Sequence, residues 1–327
     1  MTNPLNNPAP RPDLDEELLR RLFQGPLVLE QVAHDLLLPP EQVRQSLQEL
    51  SRLGYQITTF PHRGIILQHS PDILIADETR ARLPENIFAR QLRIFKETRS
   101  TNDLVFQAGV QGALEGFCVL AESQTHGRGR NGRCWQTTAG KGLYLSLLFR
   151  PSWPPERAAC LTYLTSVAFC RAAARLTGIR CGIKWPNDVL YQNKKIAGIL
   201  TEARSQASRL EFAVVGIGIN VHQQPGDFPE DLRARALSLG MAGAAANLRR
   251  AELLAVLLEE TLRLYRAPWE DLRTEWKSLC LSTGQPLRIQ CGRRIVEGQM
   301  IDIEENGHLV LRLPDGKIEV INSGEIL

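Results

Sequence analysis

A loop rich in glycine and arginine lies between two apolar segments near the middle of the chain. It reads GRGRNGRCW at residues 127–135, and the flanking segments FCVLAES and GLYLSLLF have the apolar runs of buried strands. Glycine permits close backbone approach, and arginine offers a permanently charged fork to phosphate or carboxylate oxygens. The pattern predicts an ordered loop that is supported by a sheet and folds over an anion. Taken alone, the stretch is also typical of a solvated loop or a segment that touches RNA without specificity.

The composition excludes several classes of protein. With 327 residues, 43% of them hydrophobic and 23% charged, the chain has the composition of a soluble globular protein with two or three domains. A net charge of +3 permits a polyanionic partner without requiring one, so a strong anion site must be local. The seven cysteines form no CxxC pair and no Cys/His ligand spacing, which argues against a disulfide framework and a zinc site and favours a reducing cytoplasm. No secretory signal or membrane-spanning run is recognisable, so we expect neither secretion nor contact with a membrane.

Residues 1–69 have the pattern of a small DNA-binding domain. The segments DLDEELLRRLF, LEQVAHDLL and PEQVRQSLQELSRLG each carry apolar residues at helical spacing. The segments YQITTF and GIILQH then alternate like two strands around the turn PHRG. Three helices followed by a β-hairpin predict a winged helix-turn-helix.

The rest of the chain is predicted to form an α/β (α+β) catalytic domain and a small β-domain. After a connector at 70–92, strands are expected at FCVLAES, GLYLSLLF, IRCGIKW, KIAGILTEA and LEFAVVGIGIN, and helices at 101–111, 155–177 and 248–266. Short strands follow from residue 281, separated by the hairpin signals Asn306-Gly307 and Asp315-Gly316. We therefore assign residues 70–280 to a mixed sheet covered by helices and residues 281–327 to a barrel-like β-domain.

Three further strings could carry chemistry. In KWPNDVLY, Pro186 ends a strand and places Lys184, Asn187 and Asp188 at its terminus, although a plain turn with a buried tryptophan explains the string equally well. STND at 100–103 is typical of a helix N-cap, whose free N–H groups could also bind a carboxylate or an amide-like ring. VVGIGIN lacks the GxGxxG and P-loop patterns, so two glycines at a close strand packing are its simpler explanation.

Taken in order, these strings resemble the biotin protein ligases, in particular the class whose N-terminal DNA-binding domain also represses the biotin operon. The resemblance runs through the winged helix, STN, ESQTHGRGRNGRCW, KWPNDV, KIAGILTE, GIGIN and the C-terminal β-domain, which is nearly the whole chain. It implies a catalytic domain related to class II aminoacyl-tRNA synthetases and a C-terminal SH3-like β-barrel. The implied reaction uses ATP and Mg²⁺ to convert biotin to biotinyl-adenylate. A lysine of the biotin carboxyl carrier protein of acetyl-CoA carboxylase then displaces AMP.

The same resemblance implies a role for each matching residue. The expected biotin-binding residues are Ser100, Thr101, Asn102, Gln124, Gly127, Arg128, Gly129, Arg130, Lys195 and Gly198. The expected ATP-binding residues are Arg130, Arg133, Trp135, Asn187, Lys195 and Asn220. The expected catalytic residues are Lys195, Arg130, Asp188 and Lys184. Mg²⁺ is expected to arrive with ATP and not to be held by a protein cage. Asn131 and Cys134 stand where the family often has basic residues, and we expect small effects on affinity.

For the N-terminal domain, the resemblance and the charge point in opposite directions. The family implies a homodimer that binds operator DNA, with Gln42, Arg44, Gln45, Gln48 and Arg63 as the DNA-binding residues. Residues 1–69 nevertheless contain six arginines, no lysine and eight acidic residues. This excess of negative charge is unfavourable for binding the phosphates of DNA. Two alternatives therefore stay open: a ligase whose winged helix no longer binds DNA, and a biotin-responsive regulator without catalysis, against which the intact GRGR, KWPND and Lys195 count.

Overall fold

The computed structural model describes residues 14–83 and 85–327; the Pro/Asn-rich start of the chain, residues 1–13, and residue 84 lie outside the described residues. Contacts divide the chain into two compact units, the first ending at Glu85 and the second running from Asn86 to Leu327.

The first unit contains three helices, a hairpin and a fourth helix. The elements are α1 (Leu14–Gln24), α2 (Leu29–Leu36), α3 (Pro40–Arg52), β1 (Gln56–Phe60), β2 (Gly64–His69) and α4 (Ala76–Arg82). The predicted helical spacing is confirmed in α3, where Val43, Leu47 and Leu50 are all buried. Strands β1 and β2 pair antiparallel as the predicted wing. Helix α4 comes from the predicted connector, and Arg80 donates to Glu16 of α1 at 2.9 Å, so this helix belongs to the first unit.

The second unit is built on a mixed sheet of seven strands in the order β3-β4-β5-β9-β8-β7-β6. The strands are β3 (Leu92–Thr98), β4 (Cys118–Gln124), β5 (Gly142–Phe149), β6 (Gly182–Lys184), β7 (Asp188–Tyr191), β8 (Lys194–Gln206) and β9 (Arg209–Asn220). Only β3 and β4 pair parallel. The helices are α5 (Ile87–Arg90), α6 (Thr101–Val110), α7 (Cys160–Thr177), α8 (Arg250–Tyr265) and α9 (Trp269–Leu279). The sequence patterns did not predict β3, β7, α5 or α9.

Helix α6 has a fixed position on the sheet. Val105 and Ala108 pack in one core cluster with Leu148 of β5 and Phe212 of β9. Gly109 lies against the Phe212 ring, and a Cβ there would be 2.8 Å from the ring. This packing fixes the position of α6, whose first turn contains residues 101–103 of the polar segment STND.

A second sheet of five antiparallel strands completes the chain. It contains β10 (Pro286–Cys291), β11 (Arg294–Ile303), β12 (Leu309–Arg312), β13 (Ile318–Ile321) and β14 (Glu325–Ile326), in the order β13-β12-β11-β10-β14. The predicted hairpin glycines are confirmed, because Gly307 and Gly316 have φ of 84° and 85°. Tyr163 of α7 donates to the Gly307 carbonyl at 2.5 Å, which joins this sheet to the rest of the second unit.

Candidate active site

A cavity of about 510 Å³ opens beside strands β6 to β9. Its lining contains every residue that the sequence assigned to biotin, ATP or catalysis except Gly127. Those lining residues are Ser100, Thr101, Asn102, Gln124, Arg128, Gly129, Arg130, Arg133, Trp135, Lys184, Asn187, Asp188, Lys195, Gly198 and Asn220. The structure thus brings together groups that lie between residues 100 and 220 of the sequence.

The glycine- and arginine-rich segment is an ordered hairpin-like loop. The Trp135 N–H donates to the Gly127 carbonyl at 2.9 Å, and the Gly129 N–H donates to the Arg133 carbonyl at 2.7 Å. Gly132, at the turn, has a φ of 72°. A Cβ at Gly127 would lie 2.4 Å from the Trp135 carbonyl oxygen, so only glycine fits there. Gly127 therefore shapes the loop although it does not line the cavity.

The arginines of the loop contact two parts of the second unit, the central sheet with α6 on one side and the C-terminal sheet on the other. Arg128 forms an ion pair with Glu202 of β8 and lies 3.3 Å from Asp103. Arg133 pairs with Glu325 of β14, and this contact holds the pKa of the Glu325 carboxyl below its usual value.

Arg130, between them, donates to the Gly324 carbonyl at 3.3 Å, and burial lowers the pKa of its guanidinium. The C-terminal sheet therefore supplies one wall of the cavity.

The first turn of α6 forms a buried polar end of the cavity. Ser100 is the N-cap residue of α6, as the sequence predicts, but its side chain makes no capping hydrogen bond. Gln124 satisfies the helix start instead, because its Oε1 accepts from the Thr101 N–H at 2.8 Å and from the Thr101 hydroxyl at 3.1 Å. Ser146 Oγ lies 2.7 Å from Thr101 Oγ1 and 2.6 Å from Asn102 Oδ1. Donors and acceptors here are held in fixed directions, as recognition of a small polar ring requires.

The KWPND string forms the tight β6–β7 hairpin, in which Lys184 and Asp188 are paired across the strands. Asn187 anchors this hairpin to β8, since its Nδ2 donates to the Ile199 carbonyl at 2.8 Å. Trp185 is buried and donates to Tyr163 Oη at 3.1 Å, as the simple turn explanation expects. Turn and site interpretations are both compatible with this hairpin, because it presents Lys184 and Asp188 to the cavity while burying Trp185.

Lys195 is held by its backbone and by a carboxylate. Its N–H donates to the Arg235 carbonyl at 2.7 Å, and its carbonyl accepts from the Leu237 N–H at 2.9 Å. Its Nζ lies 2.6 Å from Asp188 Oδ1. Asn220 supports the same segment by donating to the Leu237 carbonyl at 3.1 Å. Lys195 is therefore held at the cavity wall through both its backbone and its ammonium group.

The indole ring of Trp135 packs against two paired glycines. Gly198 of β8 and Gly218 of β9 face each other, and a Cβ on either would lie 2.8 Å or 2.4 Å from the indole ring. Lys195 Nζ lies 5.3 Å from the ring centroid, and the indole Nε1 is buried with no acceptor among the described residues. Of the two glycines in GIGIN, Gly218 leaves room for the Trp135 ring and Gly216 leaves room for the Asn102 amide.

Several residues at the site were missed by sequence reasoning. Gly216, Gly218, Arg235 and Glu325 line the cavity, and Glu202 holds two of its lining residues. A signal for the first two existed, since glycines at alternate positions of one strand leave one face open to a large neighbour. For Arg235 and Glu325 no local signal exists.

The chemistry that this arrangement supports is the handling of anions next to a flat polar ring. Cations that line the cavity are Arg128, Arg130, Arg133, Lys184, Lys195 and Arg235. Carboxylates that line it are Asp188 and Glu325. Residues 14–83 and 85–327 contain no group of three or more side chains suited to hold a metal ion. Within the same ranges, no helix has the length and apolar character needed to cross a bilayer.

Comparisons with known proteins match both parts of the second unit. Residues 94–220 match the biotin/lipoate A/B protein ligase family, and residues 283–327 match the biotin protein ligase C-terminal domain. The bifunctional ligase/repressor BirA of Bacillus subtilis is 33% identical over 287 residues, which are 87% of this chain and 88% of the relative. The biotin–[acetyl-CoA-carboxylase] ligase of Mycobacterium tuberculosis is 34% identical over 73% of this chain and 89% of its own length.

A solved structure agrees. The biotin protein ligase from Aquifex aeolicus in complex with biotin and ATP superposes with a TM-score of 0.61 at 28% identity, covering 72% of this chain and 97% of that one. The matched regions contain the glycine- and arginine-rich loop of residues 127–135 (the ligand loop), the KWPND hairpin and strands β10 to β14. The chain therefore belongs to the biotin protein ligase family and is a biotin ligase.

Proposed function

We propose that this enzyme joins biotin to a specific lysine of the biotin carboxyl carrier protein in two ATP-dependent steps, through biotinyl-adenylate. The observation that carries the proposal is that Arg130, Lys184 and Lys195 line one cavity. The same cavity contains the buried polar first turn of α6 and the ring of Trp135. The Mycobacterium tuberculosis relative is named a biotin–[acetyl-CoA-carboxylase] ligase, and the similar Aquifex aeolicus structure holds biotin and ATP.

Biotin would lie with its ureido ring at the polar end. Thr101, Asn102 and Gln124 hold their hydrogen-bonding groups in fixed directions there, so they can match a ring that has two N–H donors and a carbonyl acceptor. The carboxylate at the other end of biotin would then point toward the cations. Arg128 and Gly129, in the loop that Gly127 shapes, would cover this ligand and exclude water from the adenylate.

In the first step, a biotin carboxylate oxygen attacks the α-phosphorus of ATP, and the bond to pyrophosphate breaks. The attack brings two anions together, so positive charge must already be in place. Lys195 and Arg130 are the groups that we assign to the carboxylate and α-phosphate, with Lys184 beside them. Since Asp188 holds Lys195 Nζ at 2.6 Å, the lysine is preorganised before a ligand arrives.

ATP would use the opposite side of the loop. Trp135 offers its ring to the adenine, and Arg133 offers its guanidinium to the phosphates. The side-chain amides of Asn187 and Asn220 donate to the Ile199 and Leu237 carbonyls. We therefore assign these two residues to supporting the ATP site as well as lining it.

Mg²⁺ would be held mainly by the ATP phosphates. The two cavity-lining carboxylates, Asp188 and Glu325, already pair with Lys195 and Arg133. A magnesium ion that keeps waters and phosphate oxygens as most of its ligands fits such a site. When bound, it would neutralise phosphate charge.

In the second step, the acceptor lysine amine attacks the acyl carbon of the adenylate, and AMP leaves. The amine must lose a proton, and we assign Asp188 to accept it because its carboxylate faces the cavity.

The test is incubation with ATP, Mg²⁺, biotin and the carrier-protein domain, followed by mass measurement of the acceptor. We expect one added biotinyl group, none without ATP, and none on an acceptor whose target lysine is replaced by arginine. An unchanged mass with a validated acceptor would refute the proposal.

A second candidate function, adenylate-dependent repression by a homodimer, has one structural observation in its favour. On α3 the side chains of Gln42, Arg44, Gln45 and Gln48 are exposed on the face opposite the buried Val43 and Leu47. Arg63 is exposed in the wing turn. Amides and arginine can read base edges in the major groove, and the BirA relatives are named ligase/repressors.

A further inference from the structure

Two residues of the cavity contact one carboxylate that does not itself line it. Arg128 of the ligand loop forms an ion pair with Glu202 Oε2, and Asn102 Nδ2 of α6 donates to the same oxygen at 2.8 Å. Glu202 lies on β8. One side chain therefore joins the loop, the helix start and the central sheet.

The contact fixes the orientation of the Asn102 amide. Asn102 is buried, with its Oδ1 2.6 Å from Ser146 Oγ and its Nδ2 directed at Glu202. A carboxylate accepts and never donates, so the amide nitrogen must face Glu202 and the oxygen must face Ser146. Gly216 leaves the room for this, because a Cβ there would lie 2.1 Å from Asn102 Oδ1.

The same contact ties the loop to the sheet. On the other side of the loop, Arg133 pairs with Glu325 of the C-terminal sheet. Arg128 makes the corresponding link to β8, with Asp103 as a second and longer partner at 3.3 Å. Both ends of the arginine series are thus anchored, and each anchor is a glutamate.

We propose that Glu202 is a positioning residue for the ligand site, coupling closure of the loop through Arg128 to the orientation of Asn102. The inference rests on the proposed function, since biotin and its adenylate are the ligands concerned. Glu202 touches no substrate and acts only through the two residues that it holds.

The test compares Glu202→Gln with the matched control Glu211→Gln. Glutamine keeps the size and an acceptor for Asn102 but removes the charge that holds Arg128. Glu211 pairs with Arg204 at 2.7 Å on the neighbouring strand, and neither residue lines the cavity. For Glu202→Gln we expect about fivefold weaker biotin binding, the effect of one partly exposed ion pair in a network. Biotinyl-adenylate should dissociate faster by a similar factor, and KM for biotin should change more than kcat.

Loop cleavage gives a readout that does not depend on activity. Trypsin should cut after Arg128, Arg130 or Arg133 faster in unliganded Glu202→Gln than in the wild type or in Glu211→Gln. A double variant, Arg128→Ala with Glu202→Gln, should bind biotin as weakly as Arg128→Ala alone, because the glutamine still accepts from Asn102 and the arginine that the charge holds is gone.

The outcomes separate the two proposals. Wild-type protein that neither binds nor transfers biotin would refute the proposed function, while the cleavage assay still tests the link between Glu202 and Arg128. If Glu202→Gln lowers the melting temperature but matches Glu211→Gln in biotin affinity and cleavage rate, the role of Glu202 is purely structural and the inference is overturned.

Discussion

Lys195 and Asp188 lie on adjacent antiparallel strands and form an ion pair across them, with 2.6 Å between Nζ and Oδ1. Because both side chains line the cavity, a ligand carboxylate or phosphate that binds Lys195 must share it with Asp188. The two residues are therefore linked, but we assign Lys195 to adenylate formation and Asp188 to transfer. Variants of the two residues should consequently slow different steps.

The variant Lys195→Ala should slow adenylate formation by about 10²-fold, the scale of one lost preorganised charge contact. Pyrophosphate release measures this step directly. Lys194→Ala is the matched control, since Lys194 is the neighbouring lysine on β8 and does not line the cavity. A wild-type rate of pyrophosphate release in Lys195→Ala would remove this lysine from the mechanism.

The variant Asp188→Asn should slow transfer to the acceptor by about 10²-fold, because the amine loses its proton acceptor. Single-turnover transfer from preformed biotinyl-adenylate measures this step without the first one. A smaller effect on transfer than on pyrophosphate release would show that Asp188 serves to place Lys195 and does not act as a base.

The variant Gly218→Ala should displace Trp135, because its Cβ would lie 2.4 Å from the indole ring. We expect weaker ATP binding and a loss of stability of about 1–3 kcal/mol, the usual cost of overpacking. Gly226→Ala is the control, since a Cβ there meets nothing within 4 Å. ATP titration and thermal unfolding of both variants check the prediction, and equal ATP affinity in the two would contradict it.

Cys134 should be the first of the seven thiols to react with an alkylating reagent. It is exposed in the ligand loop, whereas burial raises the pKa of Cys160 and Cys181 to about 12. Since the thiolate is the reactive form, a raised pKa leaves those two thiols protonated and unreactive at pH 8. Peptide mass mapping after brief labelling identifies the modified site. Biotin with ATP should slow the labelling of Cys134, because this residue lines the cavity; labelling of Cys160 first would contradict the prediction.

Binding to DNA upstream of biotin synthesis genes should require biotin with ATP and should weaken steeply with salt. Arg44 and Arg52 of α3 and Arg63 of the wing are exposed, which gives about six phosphate contacts in a dimer and a slope of log affinity against log salt near −5, at about 0.9 per phosphate. Arg44 pairs with Glu41. Arg44→Ala should weaken DNA binding by about tenfold because it removes one of these contacts. Glu41→Gln should strengthen DNA binding because it removes the carboxylate that pairs with Arg44.

Titration of labelled DNA at two salt concentrations, with and without biotin and ATP, decides the matter. Arg175→Ala removes the same charge from the second unit and serves as the control, since Arg175 is exposed and does not line the cavity. If no fragment shifts at low salt, the protein is a ligase whose winged helix does not bind DNA.

Elements of the fold whose patterns are local could be predicted from the sequence. The winged helix, the strands of GLYLSLLF and LEFAVVGIGIN and the hairpin glycines Gly307 and Gly316 were all predictable, because helical spacing, alternation and turn chemistry depend on residues a few positions apart. The strings GRGRNGRCW and KWPND also indicated the site, since they combine residue types that bind anions.

The contact partners of these residues, by contrast, depend on how distant segments pack together. Arg128 and Glu202 are 74 positions apart, and Arg133 and Glu325 are 192 apart. Such pairs follow from the strand order and from the packing of the C-terminal sheet, neither of which leaves a local trace in sequence. The packing of Trp135 also leaves no local trace in sequence, because it depends on the strand register that sets Gly198 opposite Gly218. Strand β3 alternates weakly at the sheet edge and was missed because its pairing with β4, and not its own pattern, makes it a strand.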